Sequence, residues 1–235
     1  MVNNMGTDNL QKRRNSERKR RVSKELETRE ETWLIICEGS KTEPNYFHSL
    51  FEYVNSLFSE KIKYRVEGEG RNTNSLVDSV DKYFVYYDKL VSKTNIPYGK
   101  VFVVFDKDDF KPEAFNSAIY KCDSKGYIPL WSNECIELWF LLHFEFLNSP
   151  ISRQQYFEKL SKVINKKYQK NQKDFSFLEI EKNLVIAYRN SKKLYNYFSN
   201  EKSNANKKPC TTMFKLIDEL NEYFQNNIID AKKEN

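Results

Sequence analysis

Apolar positions in this chain fall into two kinds of run. Trp33-Leu34-Ile35-Ile36-Cys37 and Val101-Phe102-Val103-Val104-Phe105 are continuous, the pattern of strands buried on both faces. Each stops abruptly at acids: Glu38-Gly39-Ser40 after the first, Asp106-Lys107-Asp108-Asp109 after the second. Elsewhere the spacing is helical. Pro44 suits a first turn, with Thr42 or Glu43 as cap, and Tyr46, Phe47, Leu50, Phe51, Val54 and Leu57 follow. Ile62, Tyr64 and Val66 alternate as a strand, residues 68–74 form a loop, and Ser75 opens a helix carrying Leu76, Val80, Phe84, Tyr87 and Leu90. Pro112 begins another helix that ends near Gly126. Tyr127 to Trp131 reads as a strand, and Asn133 caps a helix through about Phe146.

Four strand–helix units in succession imply a mainly parallel sheet with helices on both faces. After Pro150 only helices are expected, at roughly Ser152–Tyr168, Leu178–Phe198 and Thr211–Gln225. The predicted fold class is α/β. Residues 1–31 form a basic flexible arm, 32–150 the α/β domain, and 151–235 a helical C-terminal region packed on it.

Charge changes the picture at two places. The chain carries 39 Lys+Arg against 33 Asp+Glu, a net +6, yet the segment from Lys12 to Lys24 alone holds eight basic residues against Glu17. Such a segment has almost nothing to bury. It reads either as a solubilising extension or surface helix, or as an arm for phosphate backbones. A second basic stretch holds Lys159, Lys162, Lys166, Lys167, Lys170 and Lys173; it is the wet face of a helix or a further backbone contact. No apolar run approaches the ~18–20 residues of a membrane span. The polar N-terminus lacks an apolar signal region, so a cytoplasmic protein is expected. Four scattered cysteines without a C-x-x-C pair and only two histidines argue against a disulfide scaffold, a thiolate zinc site or a His-based triad.

The acids at the strand ends carry the chemistry. Ligands of open parallel sheets sit outside the carboxyl ends of the strands. Residues two apart in an extended backbone point the same way, so Asp106 and Asp108 are expected to converge on one ion. If the two apolar strands are neighbours, Glu38 lies across from them. Hard oxygen ligands without His or Cys describe a magnesium site that keeps waters for substrate phosphates. Turn-forming aspartates would read the same way, and without a cation the acids would need Lys107 or Lys41 for compensation. Gly39-Ser40-Lys41-Thr42 is not a P-loop, because the order and the earlier glycine are wrong.

Three segments together resemble the RloB-like family: Leu34 to Phe47 (LIICEGSKTEPNYF), Val103 to Asp109 (VVFDKDD), and Trp131 to Phe144 (WSNECIELWFLLHF). Pro209-Cys210-Thr211-Thr212-Met213 also fits, so the resemblance spans roughly Thr32 to Glu222. It implies a Toprim-type α/β fold in which Glu38, Asp106 and Asp108 bind Mg2+, with Mn2+ as a substitute. It also implies a setting in bacterial restriction and abortive infection, beside a large ABC/AAA-type ATPase. The third segment departs from the family pattern: Glu134 stands where proline is usual, while Glu137 matches the usual position and is a supporting residue. Glu134 and Glu137 are expected one helical turn apart, with Glu134 either altering the site or favouring the helix N-terminus. Leu138, Trp139, Leu141, Leu142 and Phe144 are expected in the core, and His143 is expected partly buried.

Two functions follow as expectations. The first is a metal-dependent nuclease hydrolysing DNA or RNA, tRNA included, in antiphage defence under an ATPase partner. Its catalytic residues are Glu38, Asp106 and Asp108, and its phosphate contacts are Lys41, Arg71 and Lys107. Glu38 is a metal ligand or a general acid/base. The second is a non-catalytic effector or adaptor that binds the ATPase, its acids forming a charge network. Both nuclease roles require Glu38 and Asp106 at the same rim of one sheet.

Overall fold

A computed structural model of the protein describes residues 14–17, 32–70, 73–83, 98–170, 180 and 183–225. The two continuous apolar runs are strands β1 (Thr32–Cys37) and β3 (Lys100–Asp106). Between them lie α1 (Thr42–Leu57), β2 (Lys63–Gly68), α2 (Thr73–Ser79) and a 3-10 turn at Val80–Tyr83. Then follow α3 (Pro112–Ser124), β4 (Ile128–Asn133), α4 (Glu137–Leu141), α5 (Arg153–Val163), α6 (Leu184–Tyr197), β5 (Cys210–Thr211) and α7 (Phe214–Tyr223). Residues 84–90, expected to continue a helix, and the basic arm apart from an exposed helical turn at 14–17 lie outside or at the margin of the described residues.

The fold is α/β as expected, and consistent with a Toprim-like arrangement: a five-stranded sheet in the order β2-β1-β3-β4-β5. The first four strands are parallel; β5 runs antiparallel to β4, with Ser132 opposite Thr211 and Asn133 opposite Cys210. That fifth strand was not anticipated. The sequence reading placed Thr211 at a helix start, and two residues carry no period by which a strand could be recognised.

Alternation along the strands divides the core. Trp33, Ile35, Cys37, Phe102 and Val104 face one apolar cluster, while Leu34, Ile36, Val101, Val103 and Phe105 face another. Burial on both faces explains why these strands read as unbroken apolar runs. The first cluster continues through Tyr46, Phe51, Trp139, Tyr156, Leu194, Ile217 and Phe224, so the C-terminal helices share a core with β1 and α1. The second takes Leu76 and Val80 from one connection and Phe115, Ala118 and Cys122 from α3. Leu138, Trp139, Leu141 and Leu142 are buried as expected, and Trp139 Nε1 donates to the Tyr46 hydroxyl at 2.7 Å. His143 is fully rather than partly buried, its Nδ1 2.9 Å from the Trp139 carbonyl. The four cysteines are buried and free, and no described helix is long and apolar enough to cross a membrane.

The helices after Pro150 are shorter than their apolar periodicity suggests. Helix α5 stops at Val163, not near Tyr168, and Asn165 takes a φ of 52°, a left-handed conformation that ends a helix. Its start is well defined: Ser152 accepts from the Gln155 backbone while the Gln155 side chain accepts from the Ser152 backbone, a reciprocal capping box.

Candidate functional site

Strand order fixes where a site belongs. From β1 the chain crosses to β2 on one side, and then to β3 on the other. Connections therefore diverge above β1 and β3, opening a crevice at their carboxyl ends. Glu38 and Asp106 meet there. The Glu38 amide donates to the Val104 carbonyl at 2.9 Å, extending the parallel ladder by one residue. Its carboxylate then accepts from the Asp106 amide at 3.2 Å and from Thr73 Oγ1 at 3.4 Å. The two acids named from the sequence thus share one rim.

Two further carboxylates face the same region. Glu43 lies in the first turn of α1 and Glu137 opens α4; Asp106, Glu43 and Glu137 are respectively 6%, 5% and 0% exposed. Glu137 Oε1 accepts from the Tyr168 hydroxyl at 2.9 Å. The Oε2 atoms of Glu43 and Glu137 are buried with no hydrogen-bond partner among the described residues. Buried acceptors are ordinarily satisfied, so two orphans in one acidic region leave room for a further donor or cation. Gly39 is what lets Glu43 approach: a Cβ there would stand 2.0 Å from Glu43 Oε2.

The electrostatics agree. Burial, with the charge of Glu43 added, pushes the Glu38 carboxyl up from 4.5 to about 7. Burial and then the charges of Glu43 and Glu137 raise Asp106 well above the usual carboxylate range. Glu43 is raised by burial too, with Glu137 contributing. The opposing charges come from the C-terminal region. Burial alone would lower Lys170, but Glu137, Asp106 and Glu43 outweigh it and raise its pKa. Compensation therefore comes from Lys170 and Arg153 rather than from Lys107 or Lys41. Lys41 is exposed, and Lys107 donates to the Asp108 carbonyl at 3.2 Å.

Asp108 stands differently from the expectation. Strand β3 ends at Asp106, and Asp108 has a φ of 41°, so the two-residue alternation of extended backbone no longer applies. Its amide donates to the Glu134 carbonyl at 3.1 Å, and its carboxylate is ion-paired with Arg153 at the start of α5. Glu134 is not a helical turn from Glu137, because α4 begins only at Glu137. It pairs instead with Lys208 at 3.0 Å. Asn133 does not cap that helix: its amide donates to the Ala205 and Lys207 carbonyls at 2.9 and 3.0 Å. Arg71 lies outside the described residues.

Sequence reasoning missed Glu43 as a site residue, treating it as a cap. The signal was present: a carboxylate in the first turn of the helix that follows β1 must return over that strand's end. Lys170 and Arg153 carried no comparable signal. Among the described residues no three His, Cys, Asp or Glu side chains stand as a ready-made metal cage. The donor chemistry nonetheless fits a hard divalent cation: the carboxylate oxygens are hard, two of them are unsatisfied, and a cation would relieve their repulsion. The neighbouring Cys37 and Cys135 thiols are pushed up by burial and by Glu43 and Glu137 respectively, and so stay protonated.

A family model described as RloB-like protein matches residues 33–220. Comparison with curated proteins and with solved structures gave no match.

Proposed function

This chain belongs to the RloB-like family, and from that membership and its buried carboxylates we propose a metal-dependent nuclease that cleaves phosphodiester bonds of nucleic acid in antiphage defence, controlled by an ABC/AAA-type ATPase partner. The observation that carries the reading is the convergence of Glu38, Asp106, Glu43 and Glu137 at one rim, with two carboxylate oxygens left unsatisfied. Magnesium, or manganese in its place, would supply neutralisation of charge at the scissile phosphate when bound. Glu38 and Asp106 would hold it, with Glu43 and Glu137 behind them and Asp108 available once released from Arg153. Glu38, with a pKa near 7, is also placed to exchange a proton near neutral pH. Arg153, Lys107 and Lys41 border the rim and provide positive charge for the phosphate backbone without reading sequence.

The test uses the purified chain with labelled DNA and RNA, in magnesium, in manganese and in chelator. Metal-dependent products are expected. Asp106→Asn should lower the cleavage rate on the order of a thousandfold, about 4 kcal/mol of barrier, without lowering thermal stability in chelator. Unaltered cleavage by that variant removes the assignment.

A second reading has one observation in its favour. Asp108 is already paired with Arg153, and Lys170 faces the other acids, as a purely structural charge network would require. A non-catalytic adaptor for the ATPase would then show no metal-dependent products and no cation binding by calorimetry.

A further inference from the structure

Helix α5 divides the lysine-rich stretch in two. Lys159 turns away to Glu145, at 2.6 Å. Lys162, Lys167 and Lys170 instead line a cleft of about 590 Å3 between α5 and the segment that follows it, with Phe157 and Tyr168 in its wall. The cleft adjoins the acid cluster directly. The Tyr168 ring belongs to the cleft and its hydroxyl donates to Glu137 Oε1 at 2.9 Å, while Lys170 is the cation those acids feel most. Arg153, paired with Asp108, starts the same helix. From Arg153 to Lys162 is about 13 Å along the helix axis, so α5 runs from the carboxylates to the outer lysines as one rail.

We propose that this cleft seats a segment of single-stranded nucleic acid beside the acid cluster: Lys170 contacts the phosphate nearest the carboxylates, Lys162 and Lys167 contact phosphates further along, and Phe157 offers its ring to a base. This rests on the nuclease reading and adds to it the form of the substrate and the path it takes. Positive charge alternating with aromatic surface is what a single strand needs, because every base has a face to stack and every phosphate a charge to neutralise. The volume is that of a small-ligand cleft, of the size of about one or two nucleotides of a single strand. Glu158, the acid of the lining, leaves the wall net positive.

Fluorescence anisotropy of the full chain in chelator, where no cleavage proceeds, tests this. Labelled single-stranded DNA, single-stranded RNA and the corresponding duplexes are titrated across salt concentrations. Single strands should bind more tightly than duplexes, and the two single-strand arms decide between DNA and RNA. Lys162→Glu/Lys167→Glu should weaken binding at least about tenfold and reduce the log–log salt slope by about 1.4, two phosphate contacts' worth for a single strand. Phe157→Ala should weaken it about 5-fold or more. Lys63→Glu, at the start of β2 and thus the opposite rim, should change little. Thermal melts confirm that the variants are folded. Wild-type binding and metal-dependent cleavage that both survive the double reversal overturn the cleft and leave the nuclease standing. A wild-type chain that neither binds nor cleaves overturns both, and tighter binding of duplex overturns the single-strand assignment alone.

Discussion

Two polar regions are buried at the carboxyl rim of the sheet, and they are built on opposite principles. Between β4 and β5, Ser132 and Thr211 bond each other through their hydroxyls at 2.9 Å. Thr212 Oγ1 accepts from the Trp131 amide at 2.9 Å and donates to the Pro129 carbonyl at 3.1 Å, and Asn133 holds the Ala205 and Lys207 carbonyls. Neutral donors meet neutral acceptors, and the polar groups clasp the 204–212 segment to the sheet. Between β1 and β3 the side chains are carboxylates of one sign, three of them raised by burial, with orphaned oxygens. The first arrangement stabilises the fold in any buffer. The second carries a surplus of negative charge that Lys170 and Arg153 answer in part, which marks it as the candidate site.

The comparison can be broken at either end. The largest effect is expected in the clasp. Asn133→Ala leaves two buried carbonyls without donors, at a cost on the order of 2–4 kcal/mol. That is a fall in Tm of roughly 5–15 °C, insensitive to magnesium. A melt unchanged by this substitution would show that the clasp is not the stabilising half of the pair.

The acid cluster should respond to pH instead. Glu38 rises from 4.5 to about 7 on folding, so between those values the folded chain holds a proton that the unfolded chain has lost. Stability in chelator therefore falls as pH climbs from about 4.5 to about 7, and the raised Asp106 extends the fall upward. Glu38→Gln should flatten the lower part of that slope, and magnesium should offset the loss above pH 7. Scanning calorimetry across this range, with and without magnesium, reads both. A Tm that rises through the window contradicts the shift.

The smallest effect on stability is expected at Gly39, where the nearest atoms a methyl group would meet are at the end of the Glu43 side chain. Gly39→Ala should move Tm by a few degrees at most, yet weaken magnesium binding by displacing Glu43. Calorimetric titration separates this from a general loss of fold. Undiminished cation affinity would take Glu43 out of the site.

How much of this was legible in the sequence depended on the distance over which each signal acts. Glu38 and Asp106 were found because continuous apolar runs announce buried strands, and acids directly after them have nowhere to go but the crevice. Asp108 was expected to point with Asp106 by extending strand alternation two residues too far. A left-handed φ turned it to Arg153. The clasp at Asn133 was read as a helix cap, because an asparagine before an apolar run looks the same in both roles.

By itself, the order of residues determined the parallel α/β layering, the rim at which acids collect and the lack of a Cys or His spacing that would mark a zinc site, since these follow from local period and chemical type. Tertiary structure alone decided that Glu43 and Glu137 join Glu38 and Asp106, and that Lys170 and Arg153 answer them. It also decided that a two-residue strand closes the sheet's far edge. Those pairings join residues as many as a hundred or more positions apart, and a pattern read along the chain cannot register contacts made by packing one element upon another.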